Sequence, residues 1–305
     1  MPGRIQPRSL PLSAGSHLMT WPSDSTHRPG LAVSNIAWPA DAESNAEAAR
    51  ILLDGGATGV EVAPSLLPGY ASGQQTVAEI RSRWEDLGLP VVALQALLFN
   101  RPHLQLFGSD AGRAALMAHL DSMAALAEGL GARVLVFGSP KNRLKGSLTE
   151  TEALDQAVPF FRELGKRAED RGVLFGMEAN PAEYGCDWLT TLAEANALVA
   201  AVASPGIALH GDAGGLILSG HVPPGQPLDL VHHHASEPHL ATLTDRPCHH
   251  ALASWLQASH YRGWISIEMR QPPQTPESLS WQEALRSALA TAQRCYGLVI
   301  QAVPT

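Results

Sequence analysis

The sequence predicts an α/β protein: a single (β/α)8 (TIM) barrel with a short or irregular crossover after strand six. Three observations predict it. From residue 31 onward, eight short apolar runs alternate with longer stretches of helical periodicity, roughly 30 residues apart. Such alternation gives a parallel sheet, and eight repeats favour closure into a barrel over an open sheet. The runs are nearly continuous in apolar residues, as strands covered on both faces should be. The first run is also not followed by the GxGxxG turn that an open dinucleotide-binding sheet would offer.

Taken in order, the first strand covers residues 31–38 (LAVSNIAW) and a helix follows over 42–55. Strand two is 59–63 and its helix 76–87; strand three is 91–99. The third helix carries Leu116, Leu120, Met123, Ala127 and Leu130 at alternating steps of four and three, one apolar stripe at helical period. Asp110 is the expected cap and Gly131 the stop. Strand four, 134–138, leads to a helix over 149–171; strand five, 173–178, leads to a helix over 192–203. Strand six is 207–212. The Gly- and Pro-rich stretch 214–226 leaves room for little regular helix before strand seven at 228–234. A helix over 247–259, strand eight at 264–268 and a helix over 279–298 complete the pattern. Residues 1–28, rich in Pro, Ser, Gly and basic side chains, read as a disordered tail or a cloning remnant, with Met19 an alternative start; residues 29–305 form the catalytic domain.

The formal charge is −8, from 21 basic and 29 acidic residues, and no basic stripe stands out. A nucleic-acid partner is therefore not expected, and a small molecule is. No apolar stretch approaches the length of a membrane span, and no signal-peptide core is present. Cys186, Cys248 and Cys295 show no CxxC spacing, so neither a disulfide framework nor a thiolate zinc site is indicated, and a reducing cytoplasm is the expected setting. A homo-oligomer remains open.

Barrels of this class keep their chemistry at the C-terminal ends of the strands. Strand five ends in Met177-Glu178-Ala179-Asn180, strand six in His210-Gly211-Asp212, strand seven in His232-His233-His234, and strand eight in Ile267-Glu268-Met269-Arg270. Glu178 and Glu268 follow apolar strands directly, where an unpartnered buried carboxylate is costly. Glu178, Asp212, His234 and Glu268, on four consecutive strands, make an oxygen-rich set that suits one divalent ion, Mn2+ or Mg2+ first, with Co2+, Fe2+ or Zn2+ as alternatives. His234 is chosen from three neighbours because it lies nearest the strand end. Alternation puts His232 on the same face, one layer below, and His233 on the other; it also puts His210 and Asp212 on one face.

At these residues the sequence resembles the xylose-isomerase-like barrel superfamily of sugar isomerases and epimerases, over about residues 31–298. The matching pieces are Met177-Glu178-Ala179-Asn180-Pro181 with Tyr184-Gly185, Gly211-Asp212-Ala213-Gly214, His234-Ala235-Ser236-Glu237-Pro238, and Ser266-Ile267-Glu268-Met269-Arg270. The resemblance to its ketose 3-epimerases implies that Glu178, Asp212, His234 and Glu268 hold the metal and that Glu178 and Glu268 are the catalytic acid and base. The metal polarises the carbonyl beside the acidic carbon and stabilises the enediolate oxygen; one carboxylate removes the proton and another returns it. Return to the opposite face of the same carbon is epimerisation, and return to the neighbouring carbon is isomerisation. The sequence departs from the family at Gly215, where many members carry a histidine three residues after the strand-six Asp.

Other strand ends supply expected substrate contacts: Asn35, Trp38, Gln95, Asn180, His210, Glu237 and Arg270, with Lys141 and Arg143 as a cationic loop able to bind phosphate or carboxylate. The alternative function is a metal-dependent lyase or dehydratase on a keto-sugar or keto-cyclitol, with His210, His221 or His103 as its general acid. Phosphodiester hydrolysis, as in the related apurinic endonucleases, is disfavoured by the acidic charge. A barrel that binds sugar without catalysis is the remaining reading.

Overall fold

A computed structural model describes residues 29–298. The tail expected over residues 1–28 lies outside the described residues. Eight parallel strands close into a barrel in sequence order: β1 (Gly30–Ser34), β2 (Gly59–Val62), β3 (Val91–Leu94), β4 (Val134–Phe137), β5 (Leu174–Glu178), β6 (Ile207–Asp212), β7 (Leu230–Ser236) and β8 (Trp264–Glu268), with β8 pairing back onto β1. The helices are α1 (Ala42–Asp54), α2 (Val77–Asp86), α3 (Asp110–Leu130), α4 (Glu150–Asp170), α5 (Leu192–Val202), α6 (Ala213–Leu218), α7 (Pro247–Ala258) and α8 (Trp281–Tyr296). None is long and apolar enough to cross a membrane.

Local chemistry fixes the helix starts. Thr76 with Glu79, Thr149 with Glu152, Thr191 with Glu194 and Ser280 with Glu283 each form a reciprocal capping box that satisfies two orphan backbone donors. On α3 the cap is Ser109, which accepts from Gly112 N, and not Asp110. Asp110 is instead the first helical residue, where a carboxylate complements the helix dipole. The expected stripe on α3 is buried throughout, and Gly131 ends the helix at φ 78°, a conformation that glycine adopts at little cost.

Most strands follow the expected bounds, with three differences that matter for the site. β1 stops at Ser34 and the chain enters a 3-10 turn over Asn35–Ala37, so Asn35 and Trp38 leave the sheet. β3 stops at Leu94, just before Gln95. β7 runs on to Ser236, which places His234 inside the strand. The irregular crossover is a six-residue α6 entered directly from β6 and capped by Asp212.

The main apolar core lies between the sheet and the helices. A second, smaller cluster (Ala32, Val92, Ala93, Val134, Val136 and Leu174) has Trp264 packed against it. Leu174 shares strand parity with Gly176 and Glu178, so this cluster plugs the barrel below the level of Glu178. Above the plug the filling is polar: Glu61, His210, His232, His234 and Ser266 are all buried.

Candidate metal centre

Asp212, His234 and Glu268 each offer a ligand atom within 4.8 Å of the other two. Register explains their meeting: Asp212 pairs with His234 across β6 and β7, and Ser236 pairs with Glu268 across β7 and β8. Both oxygens of Asp212 are held, Oδ1 by the Ser236 hydroxyl and Oδ2 by Gly215 N–H at 2.6 Å. Glu178 lies outside this trio but lines the same cavity of about 390 Å3 with Asp212, Glu237, Glu268 and Arg270. Its Oε1 accepts from Asn180 Nδ2 at 2.8 Å. A Cβ on Gly138 would come within 2.4 Å of Glu178 Oε2, so the carboxylate needs a glycine at the end of β4.

The residue that the sequence reading missed is Glu61. It is fully buried in the middle of β2 and carries the network that aims His234. His234 Nε2 lies 3.0 and 3.1 Å from the two Glu61 oxygens, His232 Nε2 lies 3.5 Å away, and the Ser266 hydroxyl donates to Oε2. Because a carboxylate only accepts, Nε2 must carry a proton, which leaves Nδ1 turned toward the Asp212 and Glu268 side, 3.3 Å from Glu268 Oε2. This is the second contact that a metal-binding histidine ordinarily makes. The sequence signal was a lone charge within the apolar run Gly59–Val62, a position that a carboxylate occupies only with a partner.

Charge follows this geometry. Burial alone would raise the Glu61 carboxyl, yet His234 and His232 hold it well below the ordinary value. Burial also opposes charge on His234, and Glu61 and Glu268 overcome it, so that its pKa stands well above the usual histidine value. Burial, Asp212 and Glu268 push Glu178 up to about 8. Asp212 is raised by burial and by Glu268. Burial keeps His210 and His232 below the usual histidine range, and His210 packs its ring edge-on to His234 at 4.3 Å.

The expected substrate contacts divide. Gln95, Asn180, Glu237 and Arg270 line the cavity. Of these, Gln95 already donates to Ser34, and Glu237 is held by Thr244, Arg246 and His249, so Arg270 is the exposed cation of the group. Asn35, Trp38, Lys141, Arg143 and His210 are not among the residues that line it. Asn35 ties β1 to β2 by accepting from Ala63 N–H, and Trp38 is buried with its indole on Asn45. The cationic loop does not act as a pair: Lys141 is exposed while Arg143 is fully buried, its guanidinium on the Phe137 and Leu189 carbonyls. Arg143 lowers the pKa of Glu178, a role that the loop reading did not foresee. Ser139, which precedes that loop at the end of β4, lines the cavity, and so do Tyr184, His239 and Leu240. Gly215, where a histidine was expected, forms the first turn of α6, and a Cβ there would lie 3.1 Å from Asp212 Oδ2 and 3.3 Å from Pro181.

No curated protein sequence matches the chain. Among solved structures, D-psicose 3-epimerase in the presence of D-fructose is similar at TM-score 0.69 and 17% identity, covering 88% of this chain and 99% of that one. L-ribulose 3-epimerase is similar at TM-score 0.69 and 17% identity, covering 88% and 95%. The 3-keto-D-glucoside 4-epimerase of E. coli, in its apo form, is similar at TM-score 0.65 and 17% identity, covering 88% and 100%. At these identities the likeness speaks for the fold, which the closed barrel already shows. The family described as xylose isomerase-like TIM barrel matches residues 49–288, from α1 into α8 and across all four strand ends that carry the acidic cluster, and the chain belongs to that family.

Proposed function

We propose that the protein is a divalent-metal-dependent sugar isomerase or epimerase that moves a proton on a carbon next to a carbonyl. The observation that carries this reading is the convergence of Glu178, Asp212 and Glu268 on one cavity, with Nδ1 of a buried, carboxylate-oriented histidine turned toward Glu268. Three carboxylates gathered at low solvent exposure call for a proton or a cation among them: burial, Asp212 and Glu268 raise Glu178 to about 8. The donor set fits a hard divalent ion, Mn2+ or Mg2+, held by Glu178, Asp212, His234 and Glu268. When bound, such an ion supplies Lewis-acid polarisation of the carbonyl that makes the neighbouring C–H acidic.

The chain's own groups then move the proton. Glu178 and Glu268 stand three strands apart around the barrel, one exchanging the proton on departure and the other on return. Asn180 fixes the Glu178 carboxylate by donating to Oε1, and Arg143 supplies the buried cation that tempers its rise. Gln95 and Arg270 at the wall suit hydroxyl and carbonyl oxygens of a polyol chain. The names of the similar structures, two ketose 3-epimerases and a keto-glucoside 4-epimerase, support a sugar as substrate.

The test is incubation of Mn2+-loaded protein with a panel of ketoses in D2O, followed by proton NMR. The proposal expects deuterium on carbon without loss of water from the substrate. Loss of water or of an aglycone would instead identify a lyase. Exchange that persists unchanged in both Glu178→Gln and Glu268→Gln would refute the two-glutamate mechanism.

A further inference from the structure

We propose that Asp245, His250 and Cys295 form a second metal site, suited to a borderline-soft divalent ion such as zinc, that ties the start of α7 to the last turn of α8. The three residues come from different segments: Asp245 precedes α7, His250 lies in its first turn, and Cys295 is next to last in α8. Their ligand atoms lie within 4.8 Å of one another. Cys295 Sγ is 3.5 Å from Asp245 Oδ1 and 3.6 Å from His250 Nε2, and Nε2 is 2.8 Å from Oδ1.

These separations can be compared with a tetrahedral zinc face. Bond lengths of about 2.3 Å to sulfur and about 2.0–2.2 Å to nitrogen and oxygen put sulfur roughly 3.6 Å from each of the other two donors, and nitrogen roughly 3.4 Å from oxygen. Both sulfur distances match. The Nε2–Oδ1 pair must open by roughly 0.6 Å on that geometry. The side chains that would move are half exposed, 50% for His250 and 42% for Asp245, whereas Cys295 is buried. The other Asp245 oxygen, Oδ2, accepts from Arg294 Nε at 3.1 Å, which leaves Oδ1 turned toward the thiol and the imidazole. The exposed side of the trio leaves the fourth position to water, and His250 and Cys295 line a surface cavity through which an ion can enter.

Burial and the Asp245 carboxylate push the Cys295 thiol up to about 11, so the metal-free site keeps the S–H proton. Binding of the ion forms the metal–sulfur bond and releases that proton to solvent. The thiolate sets this site apart from the all-oxygen-and-imidazole centre in the barrel mouth. It was invisible at the level of cysteine spacing, because its sulfur ligand has no CxxC neighbour.

The experiment uses Co2+ as a spectroscopic probe, added to the chelator-stripped full chain. A thiolate-to-cobalt charge-transfer band should appear in the near ultraviolet, saturate within two equivalents because the barrel centre also takes up cobalt, and be displaced by Zn2+. It should persist in Asp212→Asn, which breaks the other centre, and in Cys248→Ser. It should vanish in Cys295→Ser, and His250→Ala, at an exposed position, should weaken cobalt binding at least about tenfold, the loss that even an outer-shell partner of a metal typically causes. Absence of the band in the wild-type protein at excess cobalt overturns the proposal. So does a band that survives Cys295→Ser, or wild-type affinity in folded His250→Ala.

Discussion

Replacing Glu178 with glutamine should stabilise the metal-free protein and weaken the metal-loaded one. Burial with Asp212 and Glu268 raises the Glu178 carboxyl from 4.5 to about 8. Between those values the native state holds a proton that the unfolded chain has released, so this group's contribution to stability falls as pH rises from about 4.5 to about 8. Each pH unit corresponds to about 1.36 kcal/mol, so at pH 7, 2.5 units above the ordinary value, the cost is roughly 3 kcal/mol. Glu178 lines an open cavity, and solvent screening reduces this to about 1–2 kcal/mol. Glutamine is neutral in both the folded and the unfolded chain, so it removes this linkage, and it keeps an oxygen for Asn180. In chelator at pH 7–8, Glu178→Gln should therefore melt roughly 2–8 °C above wild type, and the gap should close toward pH 4.5. In saturating Mn2+ the order should reverse. Wild type gains about 2.7 kcal/mol at a hundredfold excess over Kd, and a variant with one carboxylate fewer gains less. Thermal unfolding at pH 5, 6, 7 and 8, with chelator or with Mn2+, measures both signs. A variant that melts at or below wild type in chelator at pH 7–8 would show that the three carboxylates do not repel one another and would remove the electrostatic argument for a cation.

Three further outcomes follow from the same geometry. Glu61→Gln removes the anion behind His234 and should weaken Mn2+ binding by about 10–100-fold at pH 8 without abolishing the fold, as calorimetry on stripped protein would show; an unchanged Kd would mean that Glu61 does not orient the ring. Gly138→Ala should cut kcat by roughly a hundredfold while Tm moves little, because its Cβ displaces the Glu178 carboxylate; unaltered turnover would place that carboxylate elsewhere. Mn2+ binding at pH 7 should release protons and tighten as pH rises toward 8, since Glu178 and His234 both hold protons in the metal-free site; titration in weak buffer with a pH indicator reads this directly, and proton uptake would contradict it.

Much of the barrel was legible because its signals are local. Apolar runs at strand length and the 3.6-residue stripe of α3 are properties of neighbouring residues, and they do not depend on how the chain closes. The strand ends named the acidic cluster for the same reason: parity along a strand puts Glu178, Asp212 and Glu268 at the barrel mouth whatever their partners are. Asn35 and Trp38 show where that reasoning stops. Position near a strand end predicted a substrate contact, but β1 turned early and both side chains were taken up by Ala63 and Asn45.

The sequence by itself determined which carboxylates crowd the mouth of a closed parallel barrel, because strand order and alternation are written in the covalent chain. Only the tertiary structure decided which imidazole nitrogen of His234 faces the carboxylates of the mouth, since its other partner Glu61 lies 173 residues away in sequence and meets it only when β2 and β7 close around a polar interior. The same holds for Arg143 and for Cys295. Burial and nearest charge are properties of the packed molecule, and they set the chemistry of a side chain as firmly as its identity does.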